Sequence, residues 1–165
     1  VRDSSLSASI QAVVAAEVGH LELAYDYFGE AALLDIGDIH HNTRDGIHLA
    51  SLAGAWIAAV AGFGGLRDQG DSLGFAPRLP QAIARLAFRL SFHGRCIKVE
   101  IDHESARYTL LNGDPLEITH HGSPLEIRTG TPLDRPIPAV PARPAPRQPP
   151  GRAPARRRPS RRTTV

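Results

Sequence analysis

Apolar side chains recur at helical spacing early in the chain, at Ile10, Val13, Val14, Val18, Leu21 and Tyr25. They follow the run Asp3-Ser4-Ser5, whose side-chain oxygens suit a helix N-cap. The spacing predicts a helix or helix pair, softened at Gly19. Residues 30–34 read as one more helical turn, stopped by the turn-forming Asp35-Ile36-Gly37-Asp38. A further helix is expected from about Gly46 to Phe63, ended by Gly64-Gly65. Beyond it the period changes. Residues 75–80 read as an extended connector, and residues 87–92, 96–101 and 107–111 alternate apolar and polar side chains as half-buried strands do. Two shorter strands are expected at 116–119 and 125–128, with His120-His121-Gly122 between them. Helices first and strands afterwards predict an α+β arrangement, a helical layer followed by a small antiparallel sheet.

Charge divides the chain in the same direction. The formal net charge is +2, but residues 139–165 hold eight arginines, seven prolines and no acid, which leaves residues 1–138 at −6. The basic segment has almost no large apolar side chain to offset the entropy of ordering, and it is expected to be disordered. Cys96 has no second cysteine to pair with, and the N-terminus shows no secretory pattern, so a cytoplasmic setting is expected. The stretch 47–66 is long enough to span a bilayer. It is interrupted by glycines 54, 62, 64 and 65 and carries His48 and Ser51, which favours a buried helix over a membrane span. The chain contains no methionine and begins at once on a helix, and it reads as a fragment.

Three strings, RDSSLSASIQAVVAAEVGHLELAYDYFGEAALLDI, NTRDGIHLASLAGAWIAAVAGFGGLR and LGFAPRLPQAIARLAFRLSFHGRCIKVEI, cover most of residues 1–128. In this order they resemble the C-terminal end of glycoside hydrolase family 65, which holds maltose, trehalose and kojibiose phosphorylases and related hydrolases. The resemblance implies that residues 1–66 are the last helices of an (α/α)6 catalytic barrel and 67–86 a connector. Residues 87–138 would form a β-sheet domain, and 139–165 the disordered tail. It also implies an inverting reaction on an α-linked glucose disaccharide, in which a glutamic acid protonates the leaving oxygen while phosphate, or water in the hydrolases, attacks the opposite face. That acid is expected upstream of this chain. No cofactor is implied; inorganic phosphate is the co-substrate, the disaccharide the other ligand, and a homodimer is possible for the full-length enzyme.

Within the resembling strings, His48 and Ser51 lie three residues apart at the start of the alanine-rich helix, where an imidazole and a hydroxyl share a face. A helix N-terminus favours anions. The resemblance places this His-x-x-Ser element at the phosphate site, with Gly46 as the point of approach; Asp3, Ser4 and Ser5 are candidate pocket-lining residues. Each has a plainer reading. His48 can be a buried histidine bonded to a carbonyl, Ser51 a packing residue, residues 3–5 a helix cap, and Arg44 with Asp45 a surface ion pair. Trp56 is expected in the core. Asp26, Glu30 and Asp35 read as solvated or cap-like acids. The pairs His40-His41 and His120-His121 lack further ligands at metal spacing, so no metal is expected. A nucleic-acid-binding role through the arginine-rich segment is the alternative of another class. It is disfavoured because no aromatics interleave the arginines, and the composition of that segment also fits a shifted reading frame.

Overall fold

A computed structural model describes residues 4–39, 41, 43–141, 143, 144 and 146–155. The first helix, α1 (Ser7–Glu17), packs its neighbours through its small side chains: Ala8, Ser9, Ala12, Ala15 and Ala16 are its buried residues. Small residues let helix axes approach, and the contact with α3 (Leu49–Ile57) is so close that a Cβ on Gly54 would stand 2.6 Å from Ser9 Oγ. Gly19 turns the chain into α2 (Leu21–Ala32), which absorbs the turn expected at residues 30–34. The consequence for the larger apolar residues corrects the sequence expectation. Ile10, Val14 and Val18 form an exposed stripe on α1, and Leu49, Leu52, Trp56 and Ile57 another on α3. Trp56, expected in the core, is 54% exposed. Periodicity identifies an apolar face but not the layer that covers it, and no described element lies over these two.

The helix expected from Gly46 is regular only from Leu49, after a 3-10 turn at Thr43–Asp45, and it continues as a π-helical stretch, Ala58–Phe63. No described helix is long and apolar enough to cross a membrane. At the exit Gly65 has φ +63°, and a Cβ there would fall 2.1 Å from the Ala76 carbonyl oxygen.

Two four-stranded sheets follow, where one antiparallel sheet is expected. The strands are β1 (Arg67–Asp68), β2 (Leu73–Phe75), β3 (Leu86–Phe92), β4 (Arg95–Ile101), β5 (Ser105–Asn112), β6 (Leu116–His120), β7 (Ser123–Ile127) and β8 (Leu133–Pro136). One sheet has the order β1-β2-β6-β7 and the other β3-β4-β5-β8. β2 runs parallel to β6, so the supposed connector supplies strands to a mixed sheet. Two-residue His-Gly loops join β3 to β4 and β6 to β7. Alternation holds where it is expected: Ile97, Val99 and Ile101 point inward from β4 and meet Tyr108 and Leu110 of β5, with Phe75, Ile118 and Ile127 from the other sheet. Ala15, Ala16, Ala24 and Phe63 join the same core, which ties the helices to the sheets.

His120 of β6 is bonded to two strands of the opposite sheet, β5 and β8. The Tyr108 hydroxyl lies 2.8 Å from His120 Nδ1, and His120 Nε2 lies 3.0 Å from the Pro136 carbonyl oxygen. The carbonyl can only accept, so Nε2 carries the proton and Nδ1 accepts from the tyrosine. Both His120 nitrogens thus have protein partners. Residues 139–155, where disorder is expected, show no helix or strand among their described members and lie against α2. The Tyr27 hydroxyl meets Gln148 Oε1 and the Arg152 carbonyl, and the Ala155 N–H donates to the Glu30 carboxylate. Residues 156–165 lie outside the described residues.

Candidate phosphate-side site at the start of the third helix

The loop from Leu33 to His48 is built around two aspartates. Asp38 Oδ1 accepts from the Thr43 hydroxyl at 2.8 Å and from the Thr43 N–H at 3.2 Å, which shapes the 3-10 turn. Asp35 reaches further. Its Oδ2 accepts the His48 backbone N–H at 2.8 Å, and its Oδ1 lies 2.5 Å from His48 Nδ1. The side chains are 12% and 22% exposed, so the pair is largely shielded from water. The hydrogen bond from the His48 ring, with the His48 N–H second, holds the Asp35 carboxyl below its ordinary value. Asp35 is therefore ionised at neutral pH, and it places a negative charge at the N-terminal end of α3.

His48 stands at the N-cap position of α3, and Ser51 one turn on. Ser51 is 1% exposed, and its hydroxyl is directed at the carbonyl oxygens of Ala31 (3.2 Å) and Ser5 (3.3 Å). It ties α3 to the end of α2 and to the residues before α1. Its one proton serves main-chain acceptors. Ser4 Oγ accepts at 3.3 Å from the N–H of Leu6, the residue immediately before α1. Gly46 is exposed, has φ +127°, and would meet nothing within 4 Å if it bore a Cβ. That backbone conformation suits glycine alone and leaves the main chain open to an approaching group. Asp3, His40 and Asn42 lie outside the described residues. Arg44 and Asp45 form an exposed pair at 3.8 Å, which adds little stability.

The fold thus brings His48, Ser51 and the Ser5 main chain to one helix end and leaves Gly46 open beside it. It also adds Asp35, read from sequence as a solvated or cap-like acid. The turn run Asp35-Ile36-Gly37-Asp38 was the available signal; nothing in the spacing of 35 and 48 reveals the pairing. Among the described residues no group of three side chains is arranged to hold a metal ion.

Comparison with known proteins places this geometry in a family. Residues 1–57 match the central catalytic domain of glycosyl hydrolase family 65, and residues 66–127 match its C-terminal domain. An uncharacterized glycosyl hydrolase of Mycobacterium leprae is 55% identical over 134 residues, covering 80% of this chain and 17% of the relative. The α,α-trehalose phosphorylase of Geobacillus stearothermophilus is 39% identical over 132 residues, again 80% of this chain and 17% of the relative. A solved structure of a human-microbiome protein, provisionally named a kojibiose phosphorylase, superposes with a TM-score of 0.79 at 31% identity, over 87% of this chain and 21% of that one. The chain therefore spans about a sixth of the length of the curated relatives it matches. Two consecutive domains of one family, in the family's order and with the matching fold, show that this chain belongs to glycosyl hydrolase family 65.

Proposed function

We propose that this chain forms the phosphate-side wall of an inverting disaccharide phosphorylase acting on an α-linked glucose disaccharide. The observation that carries the reading is the start of α3, where His48 is held at a helix N-terminus beside the open Gly46 main chain, in a chain 39% identical to a trehalose phosphorylase. His48 and the backbone at Gly46 would face the phosphate. Ser51 would hold the turn from beneath, and would touch the anion only by releasing Ala31 and Ser5. Ser4 and Ser5 would line the floor of the site. The exposed stripes on α1 and α3 would pack on the other helices of an (α/α)6 barrel, and the general acid would stand on those helices. On this reading the 165-residue chain alone has no turnover.

A hydrolase of the same family, with water in place of phosphate, is the second reading. The ionised Asp35 favours it, because a carboxylate already occupies the His48 N–H and repels a second anion. The nucleic-acid alternative gains no support from the family matches.

A chimera separates the two enzymatic readings. Residues 1–134 would replace the matched segment of the Geobacillus enzyme, and glucose 1-phosphate would be measured from trehalose with and without phosphate. Phosphate-dependent release of glucose 1-phosphate is expected. Release of two glucose molecules at the same rate without phosphate would establish the hydrolase instead.

A further inference from the structure

We propose that Asp35 is a positioning residue that fixes the proton on His48 Nδ1 and so dictates what His48 Nε2 can offer a ligand. The first half stands on geometry alone; the second rests on the phosphate reading above. The backbone N–H of His48 can only donate, so it pins Asp35 Oδ2 as its acceptor at 2.8 Å. That bond orients the carboxylate so that Oδ1 meets the ring nitrogen Nδ1 at 2.5 Å. An ionised carboxylate has no proton to give, hence Nδ1 must carry one. The neutral tautomer protonated at Nε2 is thereby excluded.

Two forms of the ring remain. With a neutral ring, Nε2 presents a lone pair and accepts from a P–OH group; with an imidazolium, Nε2–H donates to a phosphate oxygen. In either form a single proton lies between Nε2 and the phosphate, and Asp35 is the reason that there is never a neutral N–H donor there. Of the charged groups described in the loop, Asp38 is engaged by Thr43 and by His41 at 3.6 Å, and Arg44 faces Asp45 at the surface.

The test reads the tautomer directly, by long-range ¹H–¹⁵N correlation on the histidine-labelled 165-residue chain, with the His48 signals assigned by their loss in His48→Gln. The wild-type ring should show a protonated Nδ1. Asp35→Asn is nearly isosteric but reverses one polarity: its only acceptor must take the His48 N–H, so its amide N–H faces Nδ1. The proton should then move to Nε2, and the two nitrogen resonances should exchange character. Asp35→Glu should restore the wild-type pattern. A wild-type ring protonated at Nε2 alone, or an Asp35→Asn ring still protonated at Nδ1, would overturn the assignment; the wild-type spectrum decides even if the variant fails to fold. Titration with inorganic phosphate is the second arm. If phosphate leaves the His48 Nε2 resonance unmoved while Asp35→Asn exchanges the tautomer as expected, Asp35 keeps its role and the phosphate reading falls.

Discussion

Replacing Tyr108 by phenylalanine removes one oxygen from the contact between the sheets. Tyr108 is 0% and His120 6% exposed, so no water takes the place of the lost donor, and His120 Nδ1 is left buried without a partner. Such a group costs about 1 to 3 kcal/mol, while the retained ring keeps the apolar packing. With an unfolding entropy of about 2.1 cal/mol/K per residue, the melting temperature should fall by roughly 3 to 9 °C. Stability should also depend on pH. Burial is the main cause that lowers the affinity of His120 and of its neighbour His121 for a proton, with the charges of Arg135 and Arg78 adding to it, whereas both take protons near 6.5 once unfolded. Wild-type stability should therefore fall as pH drops below about 6.5, by up to about 1.4 kcal/mol per pH unit for each histidine, and level off below the depressed folded values. Thermal unfolding followed by circular dichroism from pH 5 to 8 measures both. A Tyr108→Phe chain as stable as wild type at pH 7.5, or a wild-type stability that does not fall between pH 7 and pH 5, would overturn this expectation.

Three shorter tests probe the rest of the frame. Gly65→Ala places a Cβ 2.1 Å from the Ala76 oxygen at φ +63°, and should cost more than about 3 kcal/mol, read as loss of the cooperative unfolding transition. Ser51→Ala leaves the Ala31 and Ser5 carbonyls without their shared donor and should lower unfolding free energy by about 1 to 2 kcal/mol in denaturant titration. Trp56→Ser removes a side chain that is 54% exposed; it should change stability by less than about 0.5 kcal/mol and reduce self-association in light scattering.

The parts of the fold that sequence made legible are those decided by local chemistry. Alternation located Ile97, Val99 and Ile101, and turn residues located the two His-Gly loops, because side-chain period and backbone preference act within a few residues. The strands that escaped notice, β1, β2 and β8, are two to four residues long and owe their form to partners far along the chain, as Leu73 pairing with Ile118 illustrates. The helical layer shows the opposite failure. Ile10 and Val14 carry the stronger periodic signal, yet the alanine face of α1 is the one that packs here, since close approach of α1 to α3 demands small side chains. At the site, the helix start that holds His48 and Ser51 was visible. The inward aim of the Ser51 hydroxyl and the bond from His48 to Asp35 were not, because both depend on where a loop of irregular backbone returns the chain.

The phosphate KM of the chimera carrying His48→Ala tests the central claim most directly. If His48 bonds the anion, its loss removes a charge-assisted hydrogen bond worth about 1.5 to 3 kcal/mol, and the phosphate KM should rise about 10- to 150-fold while the trehalose KM stays nearly constant. An unaltered phosphate KM together with a lower melting temperature would contradict the account and make His48 a structural histidine, held by Asp35 to close the loop onto α3.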